Sequence, residues 1–303
     1  MATIAGLAQR PRHSRRRPTL AQAPARLEGL ILPPRLFLPQ AFVADTVVAL
    51  TAAAVRHVQV LRLQPGDALV LFNGDDGADW PAEIVRIGRR EVDVRLGAPL
   101  PVERELACEV TLAVGVPAND RMDALVEKAS ELGAAAIQPL VCERSVVRLS
   151  GPRAAAKRAH WQAVATAASE QCGRARVAGV RPVASFSAWL DALAPSDSER
   201  RVVLSLAPSA LDPAGALGAD ALRPSSAEAA RSSAGHRRDA GRAPVIVLSG
   251  PEGGLSPAEE SAALARGFVA VSLGPRTLRA DTAPLALLAW LGLSALDASA
   301  TSR

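Results

Sequence analysis

The sequence predicts an α/β protein in two parts: a small antiparallel sheet or barrel, then a larger, mainly parallel sheet covered by helices on both faces. Two patterns carry this expectation. Residues 35–100 consist of short alternating apolar segments divided by turn signals, the pattern of half-buried antiparallel strands. From about Cys108 the pattern becomes an apolar strand followed by a helix, repeated, as in sheets buried on both sides. At 303 residues and 49% hydrophobic, the chain is long enough to build two cores.

In the first part, PGD at 65–67 precedes ALVLFNG, NGDDG at 73–77 reads as a hairpin loop, and GRR at 88–90 divides AEIVRI from EVDVRL. One helix is expected near Ala53–Leu61. In the second part, strands are expected at Thr111–Val116, Ala136–Val141, Val177–Val183, Val202–Leu206, Val245–Leu248 and Val269–Leu273. The first helix there is the best defined. Asn119 or Asp120 can cap it, Met122, Leu125, Val126, Ala129 and Leu132 form one apolar face, and Gly133 is placed to end it. A second helix spans roughly Ala154–Gln171. Residues 207–243 are rich in Ala, Ser, Pro, Gly and Arg without a sustained apolar period, and read as a low-complexity, solvent-exposed insertion with one short helix. The last helix, Ala283–Leu296, is apolar but short of a bilayer's thickness, so no membrane span is expected.

The net charge of +5 suggests nucleic acid until it is located. Six arginines and one glutamate fall in residues 1–34, which leaves 29 basic and 29 acidic residues in the rest. The body is neutral, so any RNA contact must come from local patches. The Arg-rich leader, residues 1–33, could be a transit peptide, a nucleic-acid-binding arm or a disordered extension; the last is preferred. Cys108, Cys142 and Cys172 share no metal-ligand spacing and, with four His, read as reduced core thiols of a cytoplasmic protein with no metal site.

Two stretches near the end carry the chemistry. LSGPEGGLSPAEE, Leu248–Glu260, follows an apolar strand, and its Ser256, Pro257 and Glu259 form a capping box with proline at the first helical position. It matches neither GxGxxG nor GxxxxGK[ST], and Glu252 would repel phosphate. The second stretch, VSLGPRTLRADTA, also runs from a strand through Gly-Pro into a helix. Loops beyond the carboxyl ends of two strands of one open sheet form the walls of a pocket.

These stretches, together with PRLFLPQAF at 34–42, HVQVLRLQPGD at 57–67, LFNGDDG at 71–77, DRMDALVEKASELG at 120–133, ERSVVRL at 143–149 and WQAVATAASEQCGR at 161–174, resemble the RsmE family. That family methylates N3 of a uridine in 16S ribosomal RNA with S-adenosylmethionine. The resemblance covers nearly everything from Pro34 to Leu296 except the insertion. It implies a SPOUT-type α/β trefoil-knot domain over 106–298, an N-terminal PUA-like RNA-binding β-barrel over 34–100, and a homodimer acting on 16S rRNA or the small ribosomal subunit. By similarity, cofactor binding falls to Leu206, Gly250, Glu252, Gly253, Leu273, Gly274, Arg276 and Leu278. Arg35, Arg56, His57, Arg62, Arg144, Arg148 and Arg174 match family positions and are candidates for RNA phosphates.

Methylating uridine N3 requires removal of its proton and stabilisation of the charge left on O2 and O4. Arg279 is the candidate for that stabilisation, and Glu252 or Asp281 for the proton acceptor. The competing reading pairs Arg279 with Asp281 in a salt bridge that only shapes the loop. Asp281 departs from the family, which usually reads L-R-x-E-T where this chain reads Leu278-Arg279-Ala280-Asp281-Thr282; as a helix cap Asp would serve as well as Glu. Two rival functions are a SPOUT enzyme acting on tRNA or a ribose hydroxyl, and an RNA-binding assembly factor without catalysis.

Overall fold

The computed structural model describes residues 33–118, 120–218 and 244–300, with the side chains of the last six excepted. The leader expected at 1–33 therefore lies, but for its final residue, outside the described residues, as does Asn119.

The first unit contains β1 (Arg35–Phe37), β2 (Val47–Ala49), α1 (Ala52–Val60), β3 (Ala68–Phe72), β4 (Ala78–Ile87), β5 (Val92–Leu96) and β6 (Leu100–Pro101). Its sheet runs β1-β3-β4-β5-β2, with β6 on β4. Every pairing is antiparallel except β1 with β3. The alternation seen in sequence has the expected cause: β4 buries every second residue of Ala78–Ile84 against a core that includes Trp80, Ile84, Val94 and Leu71. Thr51 caps α1 by accepting from the Ala54 N–H, and Val55 and Val58 seat the helix on the same core.

The second unit contains β7 (Glu109–Gly115), α2 (Arg121–Glu131), β8 (Ala136–Val141), α3 (Gly151–Cys172), β9 (Gly179–Val180), β10 (Ala184–Ser185), α4 (Phe186–Ala192), β11 (Arg200–Leu204), α5 (Pro213–Leu217), β12 (Pro244–Ser249), α6 (Pro257–Ala265), β13 (Val269–Val271) and α7 (Thr282–Ala300). All its strands are parallel, in the order β10-β8-β7-β12-β11-β13 with β9 on β8. β12 enters late, between β7 and β11, so the sheet is completed by a strand remote in sequence from its neighbour β7. One core cluster gathers β7, α2, α3 and α7; a second, with Phe186, Trp189 and Phe268, lies around α4 and α6. No helix among the described residues is long and apolar enough to cross a membrane.

Several expectations need correction. The strand expected over Val177–Val183 is reduced to β9, because the Val177 N–H donates to Gly74 O of the first unit and Pro182 can give no ladder hydrogen bond. Asp120 makes no side-chain cap on α2. The insertion is not exposed from its start: Leu211 bridges to β13, α5 is capped by Asp212, and Leu217 is fully buried in the main core. The rest of the insertion, 219–243, lies outside the described residues. All three cysteines are free thiols, and burial pushes Cys142 up to about 12.

The two units meet along α3. Arg35 lies over the Phe72 ring at 4.6 Å, pairs with Asp79 at 2.5 Å and donates to the Ser169 carbonyl at 2.9 Å. The Phe37 N–H donates to Glu170 Oε1 at 2.8 Å, and Arg176 to the Asp75 carbonyl at 3.1 Å. Gly74 is required here: its φ is +80°, and a Cβ would lie 2.9 Å from Phe37 and 3.0 Å from Val177.

Candidate functional site

A cavity of about 570 Å³ opens at the carboxyl ends of β11, β12 and β13. Its walls are the two loops singled out in the sequence, with Leu204–Leu206 on a third side and Arg121 and Arg144 reaching in from the β7–α2 and β8–α3 connections. Parallel strands place their following loops on one edge of the sheet, so residues far apart in sequence converge there.

The first wall is a tight turn. Gly254, at φ +69°, donates to the Pro251 carbonyl, and a Cβ on Gly250 would lie 2.6 Å from the Leu255 nitrogen. The loop packs so closely on β7 that a Cβ on Gly115 would lie 2.5 Å from both Pro251 N and Cδ. The capping box expected at α6 is present: the Glu259 N–H donates to Ser256 Oγ at 3.2 Å and the Ser256 N–H to Glu259 Oε2 at 2.9 Å. Glu259 Oε1 also accepts from the Glu143 N–H at 2.8 Å, joining α6 to the β8–α3 connection.

Glu252 has a partner. Its Oε1 accepts from the Ala118 N–H at 2.8 Å and from Arg121 at 3.3 Å, which ties the turn to the start of α2. Arg144 donates to the Gly253 and Leu255 carbonyls at 3.1 and 3.2 Å, so this guanidinium, expected to meet RNA, clamps the pocket wall. A Cβ on Gly253 would approach Arg144 Cβ to 3.0 Å.

The second wall begins with Ser272, whose Oγ accepts from the Gly274 N–H at 3.3 Å, and turns at Gly274, φ +100°. Leu273, Arg276, Leu278 and Arg279 all line the cavity. Arg276 and Arg279 are exposed, and their side chains have no hydrogen bond or ion pair among the described residues. The Arg279 carbonyl accepts from the Thr282 and Ala283 N–H groups as α7 begins. Asp281 is not its salt-bridge partner. Instead Asp281 Oδ1 is buried with no hydrogen bond, a costly arrangement that points to a partner absent from the protein alone.

Of the eight residues expected to bind cofactor, all but Gly274 line the cavity directly, and Gly274 shapes the wall between Leu273 and Arg276. Leu206 does so from beyond the end of β11, two-thirds exposed at 68%. Sequence reading missed Arg121, Ser205, Ser249 and Glu260, which also line it. Ser205 follows β11, so the rule about strand ends could have found it; no local pattern in the sequence marks Glu260.

The basic residues separate into two groups. Arg56, His57 and Arg62 are exposed on or just after α1, and Arg148 is exposed with one bond to the Glu143 carbonyl at 3.1 Å. Arg174 is a correction: it is 3% exposed, paired with Glu105, and donates to the Ser130 and Ala134 carbonyls at 2.7 and 3.0 Å. Arg35 is a second correction, since it is consumed by the contact between the two units. Neither is free to meet a phosphate.

Known proteins agree with this arrangement. Residues 104–292 match the RNA methyltransferase domain family and residues 50–97 the RNA methyltransferase PUA domain. Ribosomal RNA small subunit methyltransferase E of Synechocystis sp. is 31% identical over 84% of this chain and 76% of its own length, and that of Bacillus subtilis 32% over 78% and 86%. The crystal structure of the Neisseria gonorrhoeae Ribosomal RNA small subunit methyltransferase E bound to S-adenosyl methionine has a TM-score of 0.71 at 32% identity, covering 86% of this chain and 96% of that one. With its PUA-like barrel, its SPOUT-type sheet and a pocket built from both signature loops, the chain belongs to the RsmE family of RNA methyltransferases.

Proposed function

We propose that the protein is an S-adenosylmethionine-dependent methyltransferase acting on N3 of a uridine in 16S ribosomal RNA, uridine 1498 in the conventional numbering. The observation that carries this reading is the cavity itself: Arg279, whose side chain has no partner among the described residues, stands on one of its walls, and two residues further on Asp281 has a buried oxygen without a hydrogen bond. The donor set suits the cofactor. Leucines 204, 206, 255, 273 and 278 offer apolar surface to an adenine, and the glycine turn lets backbone groups approach a ribose.

When bound, S-adenosylmethionine supplies a methyl group on a cationic sulfur. The protein's task is to make uridine N3 a nucleophile. Asp281 accepts the N3 proton, directly or through one water, and Arg279 stabilises the negative charge that spreads to O2 and O4. Glu252, bound to Ala118 and Arg121, positions the turn and is not the base. The exposed Arg56, His57 and Arg62 are the barrel's contribution to holding RNA phosphates. A homodimer is supported by the exposed apolar residues Val146, Leu206 and Leu293.

A methyl on N3 blocks the Watson–Crick edge, so reverse transcription of 16S rRNA from the source cell should halt one nucleotide before the site and read through when the gene is deleted. A stop unaffected by deletion would refute the substrate assignment. Asp281→Asn should bind S-adenosylmethionine normally by calorimetry yet lose on the order of 100-fold in methyl transfer. Full activity in that variant would remove Asp281 from the chemistry.

A further inference from the structure

Among the charged side chains lining the cavity, Arg121 pairs with Glu252, and Arg144 is held by loop carbonyls. Glu260 is different: it is an acid whose only side-chain partner among the described residues is neutral. Ser205 Oγ accepts from the Ala207 N–H at 3.0 Å and so turns its own hydrogen to Glu260 Oε1, at 2.5 Å. The hydroxyl holds the carboxylate as an acceptor, half-buried at the cavity wall, without neutralising it. Nothing else in α6 needs this acid, since the capping box uses Glu259.

We propose that Glu260, held by Ser205, binds the positively charged methionine part of S-adenosylmethionine. The inference rests on the cofactor reading above. The cofactor carries two cationic groups, a sulfonium and an ammonium, and a carboxylate. A half-buried acid attracts those cations more strongly than it would in water, while Arg276 and Arg279 remain for anionic groups. Methyl transfer removes the sulfonium charge, so the same contact weakens once the product, S-adenosylhomocysteine, has formed. Glu260 thereby sets the preference for cofactor over product.

Calorimetric titration of the full chain with three probes tests this: S-adenosylmethionine, S-adenosylhomocysteine, which keeps the ammonium but has a neutral sulfur, and 5′-methylthioadenosine, which has neither charge. Glu260→Gln should weaken the first about tenfold, the second less, and the third not at all. Unchanged binding of the third probe also shows that the variant is folded. Equal losses for all three would put Glu260 on the adenosine side and overturn the proposal, as would unchanged affinity for S-adenosylmethionine. Should Glu260→Gln fail to fold, Ser205→Ala carries the test, with a smaller loss in the same order; retention of the wild-type preference for S-adenosylmethionine over the uncharged probe would refute the role. Failure of the wild-type protein to bind any of the three would bring down the cofactor reading and the role of Glu260 together, whereas wild-type binding with unaltered variants brings down the role alone.

Discussion

Arg174 shows how a guanidinium that matches a family motif can belong to the interior. It follows α3, but the carbonyls of Ser130 and Ala134 and the carboxylate of Glu105 surround it and leave it 3% exposed. Removing one partner strands the other charge away from water, so Arg174→Ala should cost about 3–5 kcal/mol in denaturant unfolding. RNA affinity per folded molecule should not change. Asp123 offers a pH handle on the same helices. Burial pushes its carboxyl up, but hydrogen bonds from His160 at 2.7 Å and Trp161 at 2.9 Å, with the charges of His160 and Lys157, outweigh this and hold it below the usual carboxylate range. A depressed carboxyl stabilises the fold above the ordinary aspartate range and loses that contribution as pH falls through its folded value. Below about pH 4, thermal midpoints should therefore fall more steeply for the wild type than for Asp123→Asn.

The GPEGG turn shows what an element owes to its neighbours. Its closeness to β7 has no room for a methyl group, since the obstacle at 2.5 Å from a Gly115 Cβ is Pro251 backbone and ring, not the end of a flexible side chain. Gly115→Ala should cost about 3 kcal/mol or more, and differential scanning calorimetry should show it alongside weakened cofactor binding. This contact was not legible in the sequence, because it joins residues far apart in the chain and Gly115 resembles any strand glycine. The capping box was legible, because Ser256, Pro257 and Glu259 act within four residues. The same division explains the other outcomes. Of the face expected on α2, Met122, Leu125, Val126 and Ala129 are fully buried as their period predicts, while Leu132, at the helix end, is only partly buried. The fate of Arg144 and Glu252 depended on which loop carbonyls and N–H groups the fold brought to them, and no local pattern records that.

For the molecule as a whole, the sequence revealed two sheets and their pocket, but not how the barrel is seated on α3. That seat depends on single contacts between remote residues: Arg35 with Asp79 and Ser169, and the Phe37 N–H with Glu170. Glu170→Ala leaves a half-buried strand N–H without its acceptor and should cost about 1–2 kcal/mol. Hydrogen exchange should show faster exchange of the Phe37 amide in this variant while the β7 and β12 amides keep their protection. Equal loosening of both units would mean that the contact is not the joint between them. Because the body's charges cancel, the role proposed for the basic groups exposed around α1 predicts that RNA affinity depends on them.

The place of β12 between β7 and β11 has a consequence for the order in which a nascent chain can become an enzyme. Every strand of the barrel has been made by Pro101, but β7 has no partner on its β12 side until Pro244–Ser249 emerges, and the cavity has no second wall until Leu273–Ala283 follows. Non-local parallel pairing of this kind forms slowly. During synthesis, then, the chain passes through a long interval in which every strand of the barrel exists but a methyl donor has nowhere to bind.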